Sequence, residues 1–145
     1  MTTFANNSKA RFDYEILEKF DAGLELLGTE VKAVKLGEIN LRGAFIAVRG
    51  AEAFLIGADI SAYQPKNAPA DYDATRPRRL LVSKAEIIRL RDAEQTKGLT
   101  IVPLSVYNKS RFLKLSLAIA RGRKKYDKRQ AIKKRDTERE IKRTL

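Results

Sequence analysis

The feature that most limits the fold is a strict alternation of side chains over residues 113–120. Large aliphatic residues at every second position are separated by small or polar ones: Leu113, Lys114, Leu115, Ser116, Leu117, Ala118, Ile119 and Ala120. Successive side chains of a β-strand point to opposite faces, so this period of two predicts a strand with one buried face. Such a strand needs partner strands and an apolar layer to cover it.

Four more segments predict strands in the first half of the chain. Residues 12–16 alternate in the same way, Asp21-Ala22-Gly23 predicts a turn, and residues 24–27 can return as a second strand. Residues 45–48 and 53–56 are short apolar runs on either side of a turn, which predicts a β-hairpin.

Two helices are predicted from their end signals. Thr29 is a suitable N-cap and Gly37 suits the C′ position, so we expect a short helix over residues 29–36. Ser83-Lys84-Ala85-Glu86 is a capping box and predicts a helix over residues 83–97.

The remaining body contains a loop and one more strand. Residues 63–79 hold three of the four prolines and read as a long loop. Residues 101–106 predict a strand, with Pro103 at a bulge or an edge, and residues 108–110 predict the turn that follows. About six short strands with interposed helices favour a mainly β fold, a small antiparallel barrel. A single sheet with helices on one face would give a similar pattern.

Composition excludes several kinds of site. The chain has no Cys, His or Trp, so it can form no disulfide, no Cys/His zinc site and no Ser-His-Asp or Cys-His catalytic group. Only carboxylates could hold a metal, and they suit Mg²⁺ or Ca²⁺. No stretch approaches the roughly 18 apolar residues of a membrane span, and the first residues lack the regions of a secretory signal. We therefore expect a cytoplasmic protein.

The positive charge is concentrated at one end of the sequence. Residues 121–145 hold 12 basic and 4 acidic side chains, whereas residues 1–120 hold 18 basic and 14 acidic ones. The last 25 residues therefore carry +8 of the net charge of +12. A nearly neutral body with a basic tail indicates a polyanionic partner, and nucleic acid is the commonest one in a cytosol.

The basic tail has almost nothing to bury. Gly and Pro are absent from residues 123–145, so a helix is locally permitted, but Ile132, Ile141 and Leu145 are the only aliphatic residues there larger than Ala. Ordering costs about 1–2 kcal/mol per backbone residue, so we expect the tail to be disordered when free and helical when bound to RNA. The alternative is a solubilising tail that binds acids indiscriminately.

Five segments, taken together and in order, carry a family resemblance. They are Asn7-Ser8-Lys9-Ala10-Arg11 with Asp13-Tyr14-Glu15-Ile16, Gly28-Thr29-Glu30-Val31-Lys32, Arg76-Pro77-Arg78-Arg79-Leu80-Leu81, Lys97-Gly98-Leu99-Thr100-Ile101-Val102-Pro103-Leu104 and Gly122-Arg123-Lys124-Lys125-Tyr126-Asp127-Lys128-Arg129. Over nearly its whole length the chain resembles the SmpB family, the SsrA-binding proteins that partner tmRNA in bacterial ribosome rescue.

The resemblance implies a fold, a function and partners. It implies an OB-like barrel over residues 1–121 that binds the tRNA-like domain of tmRNA (SsrA RNA), and a basic tail over residues 122–145. The protein and tmRNA would together enter the vacant A site of a stalled ribosome with elongation factor Tu, which is contacted indirectly through tmRNA. The tail would lie in the empty mRNA channel near the decoding centre and become helical there. The protein would catalyse nothing and need no cofactor, metal, membrane or small-molecule ligand.

The resemblance and the charges together predict which residues of the body bind RNA, and we call these the nominated residues. Asn7, Lys9 and Arg11 would contact phosphates, although the two cations could equally be solvated. Glu30 would accept hydrogen bonds from bases or orient a nearby Arg; alternatively, it is a simple first-turn helix carboxylate. We expect Glu30→Ala to weaken tmRNA binding with less than about 1 kcal/mol effect on stability. The other nominated residues of the body are Lys32, Arg76 and Arg78.

The tail supplies a second set of nominated residues. Phosphate contacts are expected from cationic side chains: Lys124, Lys125, Lys128, Arg129 and Lys133. Tyr126 would stack on an rRNA base rather than on a neighbouring residue of the helix, and Ile132 would make an apolar contact.

Two other functions fit parts of the sequence. A Mg²⁺-dependent nuclease could use carboxylates alone, and Asp71 with Asp73 is the only D-x-D pair, but it lies in the predicted loop. A structural rRNA-binding module, similar to a ribosomal protein, is the second alternative. It would accompany all ribosomes rather than only stalled ones.

Overall fold

The computed structural model describes residues 2–63 and 70–123. A seven-stranded antiparallel sheet has the order β1-β8-β9-β2-β7-β5-β4, and β3 pairs with β6 separately. The strands are β1 (Thr3–Asn6), β2 (Tyr14–Leu24), β3 (Ile39–Asn40), β4 (Phe45–Arg49), β5 (Glu52–Ile56), β6 (Asp59–Ile60), β7 (Arg78–Leu81), β8 (Leu99–Lys109) and β9 (Phe112–Gly122). The helices are α1 (Ser8–Asp13), α2 (Gly28–Lys35) and α3 (Lys84–Gln95).

The alternating segment forms β9, which pairs along its length with β8 and β2. Its large aliphatic residues are buried in the main core, as predicted. Ala118 and Ala120 are buried on the opposite face, in a second cluster with Ala10 of α1. The small side chains therefore leave space for α1 to cover this end of the strand.

The predicted boundaries near the start of the chain are wrong. Residues 8–13 form α1, and β2 then runs without a break through the predicted turn at Asp21–Gly23. Pairing with β9 on one side and β7 on the other overrides the local turn signal, because a ladder satisfies the backbone there. Gly23 packs closely against β7: a Cβ at this position would lie 3.2 Å from Leu81 Cβ, a tighter approach than ordinary van der Waals contact.

The short second helix is confirmed, but its start differs from the prediction. The N-cap is Leu27, so Thr29 does not cap the helix. The C-terminal prediction is correct: Gly37 has a φ of +79°, and the N–H groups of Gly37 and Glu38 donate to Val34 O and Ala33 O. This pair of bonds is a Schellman motif, which favours glycine at the left-handed position.

The other predicted helix and strands are confirmed, but the turn predicted at residues 108–110 lies at 110–111, because Asn108 and Lys109 still pair with β9. β4 and β5 form the hairpin, and α3 begins at the Ser83–Glu86 capping box, in which Glu86 N–H donates to Ser83 Oγ at 3.2 Å. Pro103 lies at a register shift between β8 and β9, and therefore at a bulge rather than an edge. The predicted loop ends at residue 77, because Arg78 begins β7.

The sheet curls so that β4, at one end of the strand order, approaches β8 near the other end. Within the described ranges no backbone ladder joins these two strands, so the barrel is open along this seam. The mainly β, antiparallel fold with short helices agrees with the predicted class. The body continues slightly beyond residue 121, since Gly122 pairs with Tyr14 and Arg123 N–H donates to Asp13 O at 2.8 Å.

Candidate nucleic-acid interface

The start of α2 places one carboxylate at the centre of a buried polar cluster. Glu30 is the third residue of the helix, and its Oε1 accepts a 2.9 Å hydrogen bond from Leu27 N–H, which stabilises the helix end. Its side chain has no exposed surface. Two of the roles predicted for Glu30 are therefore combined: its carboxylate orients Arg side chains, and it also accepts a hydrogen bond in the first turn of the helix.

Arg78 lies opposite Glu30 at the start of β7 and is fully buried. Its Nε and Nη2 donate to Glu30 Oε2 at 3.0 and 2.6 Å. Its Nη1 donates to Ala58 O and Ala74 O, both at 2.8 Å. Nη2 also donates to Tyr72 Oη at 3.2 Å, so all five guanidinium N–H groups have partners inside the protein. The expectation that Arg78 contacts RNA is therefore corrected, because no donor or surface of this side chain is accessible.

Arg76 binds the same Glu30 carboxylate as Arg78 does, but part of the Arg76 side chain is exposed at the surface. Its Nε donates to Glu30 Oε2 at 3.0 Å, and its Nη2 forms a short contact with Glu30 Oε1. These two contacts form a bidentate ion pair, which fixes the plane of the guanidinium. About a third of the side chain, 30%, is exposed. Arg76 is thus a cation held in one orientation at the protein surface.

The cluster keeps its carboxylate ionised despite burial. Burial alone would raise the pKa of Glu30, but the hydrogen bonds from Arg76, Leu27 N–H and Arg78 outweigh it and lower that pKa. One carboxylate between two guanidinium groups leaves a net positive charge. Burial and the charge of Glu30 raise the pKa of Tyr72, so its hydroxyl stays protonated and donates to Ile60 O at 2.8 Å.

Tyr72 was not nominated from the sequence. It lies in the loop between Asp71 and Asp73, and its hydroxyl joins Arg78, Glu30 and the backbone of β6. An aromatic residue among small and polar loop residues was the only available signal. Tyr72 connects this loop to Glu30 of α2, and Glu30 in turn binds Arg76.

Lys32 is exposed on α2, two residues after Glu30. Its Nζ lies 5.5 Å from the centroid of the Tyr63 ring, within the range of a cation–π interaction. Lys32 and Arg76 are therefore the two nominated cations that the structure places accessibly around the same helix.

The nominated residues near the start of the chain separate into two groups. Asn7 is buried: its Nδ2 donates to Pro103 O at 2.9 Å, and its Oδ1 accepts from Ala10 N–H at 3.3 Å. It caps α1 and ties the helix to β8, so the expectation of a phosphate contact is corrected. Lys9 and Arg11 are exposed, and Lys9 borders two neighbouring recesses of about 410 and 400 Å³ beside the seam.

The tail residues nominated for RNA contacts lie outside the described residues. They are Lys124, Lys125, Tyr126, Lys128, Arg129, Ile132 and Lys133. The expected change of the tail from disorder to helix concerns the same residues.

Neither a cluster of metal-ligating side chains nor a membrane-spanning helix occurs among the described residues. Within residues 2–63 and 70–123, no three Asp or Glu side chains are placed to share a metal ion. Asp73 Oδ1 accepts hydrogen bonds from Thr75 N–H and Oγ1, both at 3.0 Å. None of the helices in those ranges combines the length and apolarity required to cross a bilayer.

Comparisons with known proteins agree over almost the whole chain. A family model described as SmpB protein matches residues 4–145. An SsrA-binding protein of Ligilactobacillus salivarius is 49% identical over 141 residues, covering 97% of this chain and 90% of the relative. An SsrA-binding protein of Chloroflexus aggregans is 48% identical over 141 residues, covering 97% and 89%.

A solved structure gives the same result. It is described as "tmRNA-SmpB: a journey to the center of the bacterial ribosome", and the matching chain is 39% identical, with a TM-score of 0.68. The match covers 88% of this chain and 93% of that one. The present chain belongs to the SmpB family of SsrA-binding proteins.

Proposed function

We propose that this chain is an RNA-binding adaptor that binds the tRNA-like domain of tmRNA and delivers it to stalled ribosomes for trans-translation. One observation carries the proposal: named SsrA-binding proteins match nearly the full length at up to 49% identity. Since the match includes the barrel and the basic tail, both RNA-binding parts are inherited together.

The contact with tmRNA is centred on α2. Arg76 and Lys32 offer two cations to RNA phosphates, and Glu30 holds the Arg76 guanidinium in a fixed plane. A fixed side chain loses less conformational entropy on binding than a free one, which increases affinity. Glu30, Arg78 and Tyr72 are positioning residues in this scheme, and Lys9 and Arg11 add phosphate contacts beside the seam.

The tail has a different task. In this proposal residues 1–121 select tmRNA, and residues 122–145 lie in the empty mRNA channel next to the decoding centre. Lys124, Lys125, Lys128, Arg129 and Lys133 would neutralise phosphates there, Tyr126 would stack on a base, and Ile132 would make an apolar contact. Elongation factor Tu joins the complex through tmRNA. The protein supplies binding and position but no catalytic step, and it acts in the cytoplasm, where ribosomes translate.

A competition gel shift tests the proposal. The full chain is titrated against labelled tmRNA with an excess of ordinary tRNA, and we expect tmRNA to remain bound. Arg76→Gln should weaken binding and reduce the slope of log K against log salt by about one, whereas Lys84→Gln, which removes an exposed charge from α3, should change neither as much. Equal displacement of the protein by tRNA would overturn the proposal. Co-purification at fixed stoichiometry with all ribosomes would instead favour the rRNA-binding module.

A further inference from the structure

A second surface feature adjoins α2 at Val31. It is a recess of about 390 Å³ between the end of β2, the start of α2, the end of β7 and the tip of the β8–β9 hairpin. Its apolar lining residues are Leu24, Leu26, Val31, Leu81, Phe112 and Leu113. We call this recess the hairpin groove.

The hairpin groove exposes more apolar surface than packing of the barrel requires. Phe112 is 68% exposed and Leu81 is 51% exposed, although the two lie beside one recess. Gly23 forms part of the wall, and a side chain there would press on Leu81. An aromatic ring this exposed at a hairpin tip is available to a partner.

The charged side chains that line the groove are both positive. Arg111 and Lys114 are its charged lining residues, and no acidic residue lines it. Across the described part of the chain, neither cation takes part in a salt bridge. An exposed aromatic ring between two unpaired cations matches a base with its flanking phosphates, since bases stack on aromatic rings and phosphates bind cations.

We propose that the hairpin groove binds one unpaired nucleobase of tmRNA, which stacks on Phe112 while Arg111 and Lys114 contact the phosphates on either side. This inference rests on the proposed function, because it assigns a second contact to the same RNA. Val31 lines the groove and Lys32 follows it on α2, so the RNA strand can pass from one site to the other around a single helix. An apolar protein segment fits the lining less well, because it would leave both cations without partners.

The test measures the affinity of the full chain for isolated tmRNA over a series of salt concentrations. Phe112→Ala should weaken binding roughly 5- to 140-fold, the range given by loss of one stacked base, and leave the salt slope unchanged. Phe112→Tyr keeps the ring and should restore the affinity, whereas Phe112→Leu should not. Arg111→Gln with Lys114→Gln should reduce the salt slope by about two. Ile88→Ala is the matched control, since Ile88 is 55% exposed on α3.

The outcomes separate this inference from the proposed function. If the unaltered chain does not prefer tmRNA to tRNA, the proposed function fails and the groove loses its ligand. If the unaltered chain prefers tmRNA but Phe112→Ala binds it as Ile88→Ala does, only the groove proposal is overturned. A groove that binds a protein or ribosomal RNA instead of tmRNA would give this same result. Equal losses for Phe112→Ala and Phe112→Tyr would also overturn it, because stacking would then not be the cause.

Discussion

Replacing Glu30 by Ala should destabilise the protein strongly, because the change leaves a buried charge without a partner. The Arg78 side chain has no exposed surface, and two of its bonds go to Glu30 Oε2. Breaking a buried ion pair on one side costs about 3–5 kcal/mol. This replaces the expectation from the sequence that the effect would stay below about 1 kcal/mol.

A matched control exists in the same fold. Glu86 occupies the corresponding third position of α3, and its Oε1 accepts from Ser83 N–H at 3.2 Å, as Glu30 Oε1 accepts from Leu27 N–H. Glu86 has no Arg partner among the described residues. Glu86→Ala should therefore cost only the capping interaction, about 0.3–1.5 kcal/mol.

Urea unfolding measures both variants, and a double variant refines the result. Replacing both partners, Glu30→Leu with Arg78→Met, should recover part of the loss, because no unpaired charge is then buried. If Glu30→Ala costs no more than Glu86→Ala, the assignment of Glu30 to a buried ion pair is refuted.

Three smaller predictions concern pH and the other buried polar contacts. The pKa of Glu30 is lower in the folded protein than the ordinary carboxyl pKa of about 4.3, so the ionised carboxylate adds stability above that pH and the gain is lost as pH falls through the folded pKa. The unfolding free energies of the natural chain and Glu30→Gln should therefore converge as the pH is lowered below about 4. Burial and a 2.6 Å hydrogen bond to Asp21 raise the pKa of Tyr107 to about 12, so its contribution to stability is lost as pH rises from the ordinary tyrosine pKa of about 10 towards that value. The pKa of Tyr72 is raised as well, so an absorbance titration should find both hydroxyls ionising later than an ordinary tyrosine, and Tyr107→Phe should remove the step near pH 12; a titration curve unchanged by Tyr107→Phe would contradict this. Asn7→Ala should lower the unfolding free energy by about 1–2 kcal/mol in a thermal melt, because it removes the cap of α1 and leaves Pro103 O without its donor, and no loss at all would contradict the structural role given to Asn7.

The sequence predicted what depends on local patterns. The alternation over residues 113–120, the capping box at Ser83 and the left-handed Gly37 each depend on a few neighbouring side chains, and the structure confirms all three. The turn predicted at Asp21–Gly23 failed because strands distant in sequence pair on both sides of β2.

The site was harder to predict for a related reason. Whether an Arg is a surface cation or a buried anchor depends on which residue the fold places beside it. Arg76 and Arg78 are two positions apart in one charged run, but only Arg78 turns inward to meet the carbonyls of Ala58 and Ala74. Tyr72 could not be singled out, because its partners come from three separate parts of the chain.

In the proposed function the barrel selects the RNA and the basic tail acts on the ribosome. The most direct measurement is peptide tagging in reconstituted translation on a messenger without a stop codon, with saturating tmRNA and a chain ending at Arg123. The boundary follows the last backbone bond of the body, from Arg123 N–H to Asp13 O. We expect this shortened chain to bind tmRNA with nearly unchanged affinity and to support no tagging. Normal tagging, or loss of tmRNA binding, would contradict it.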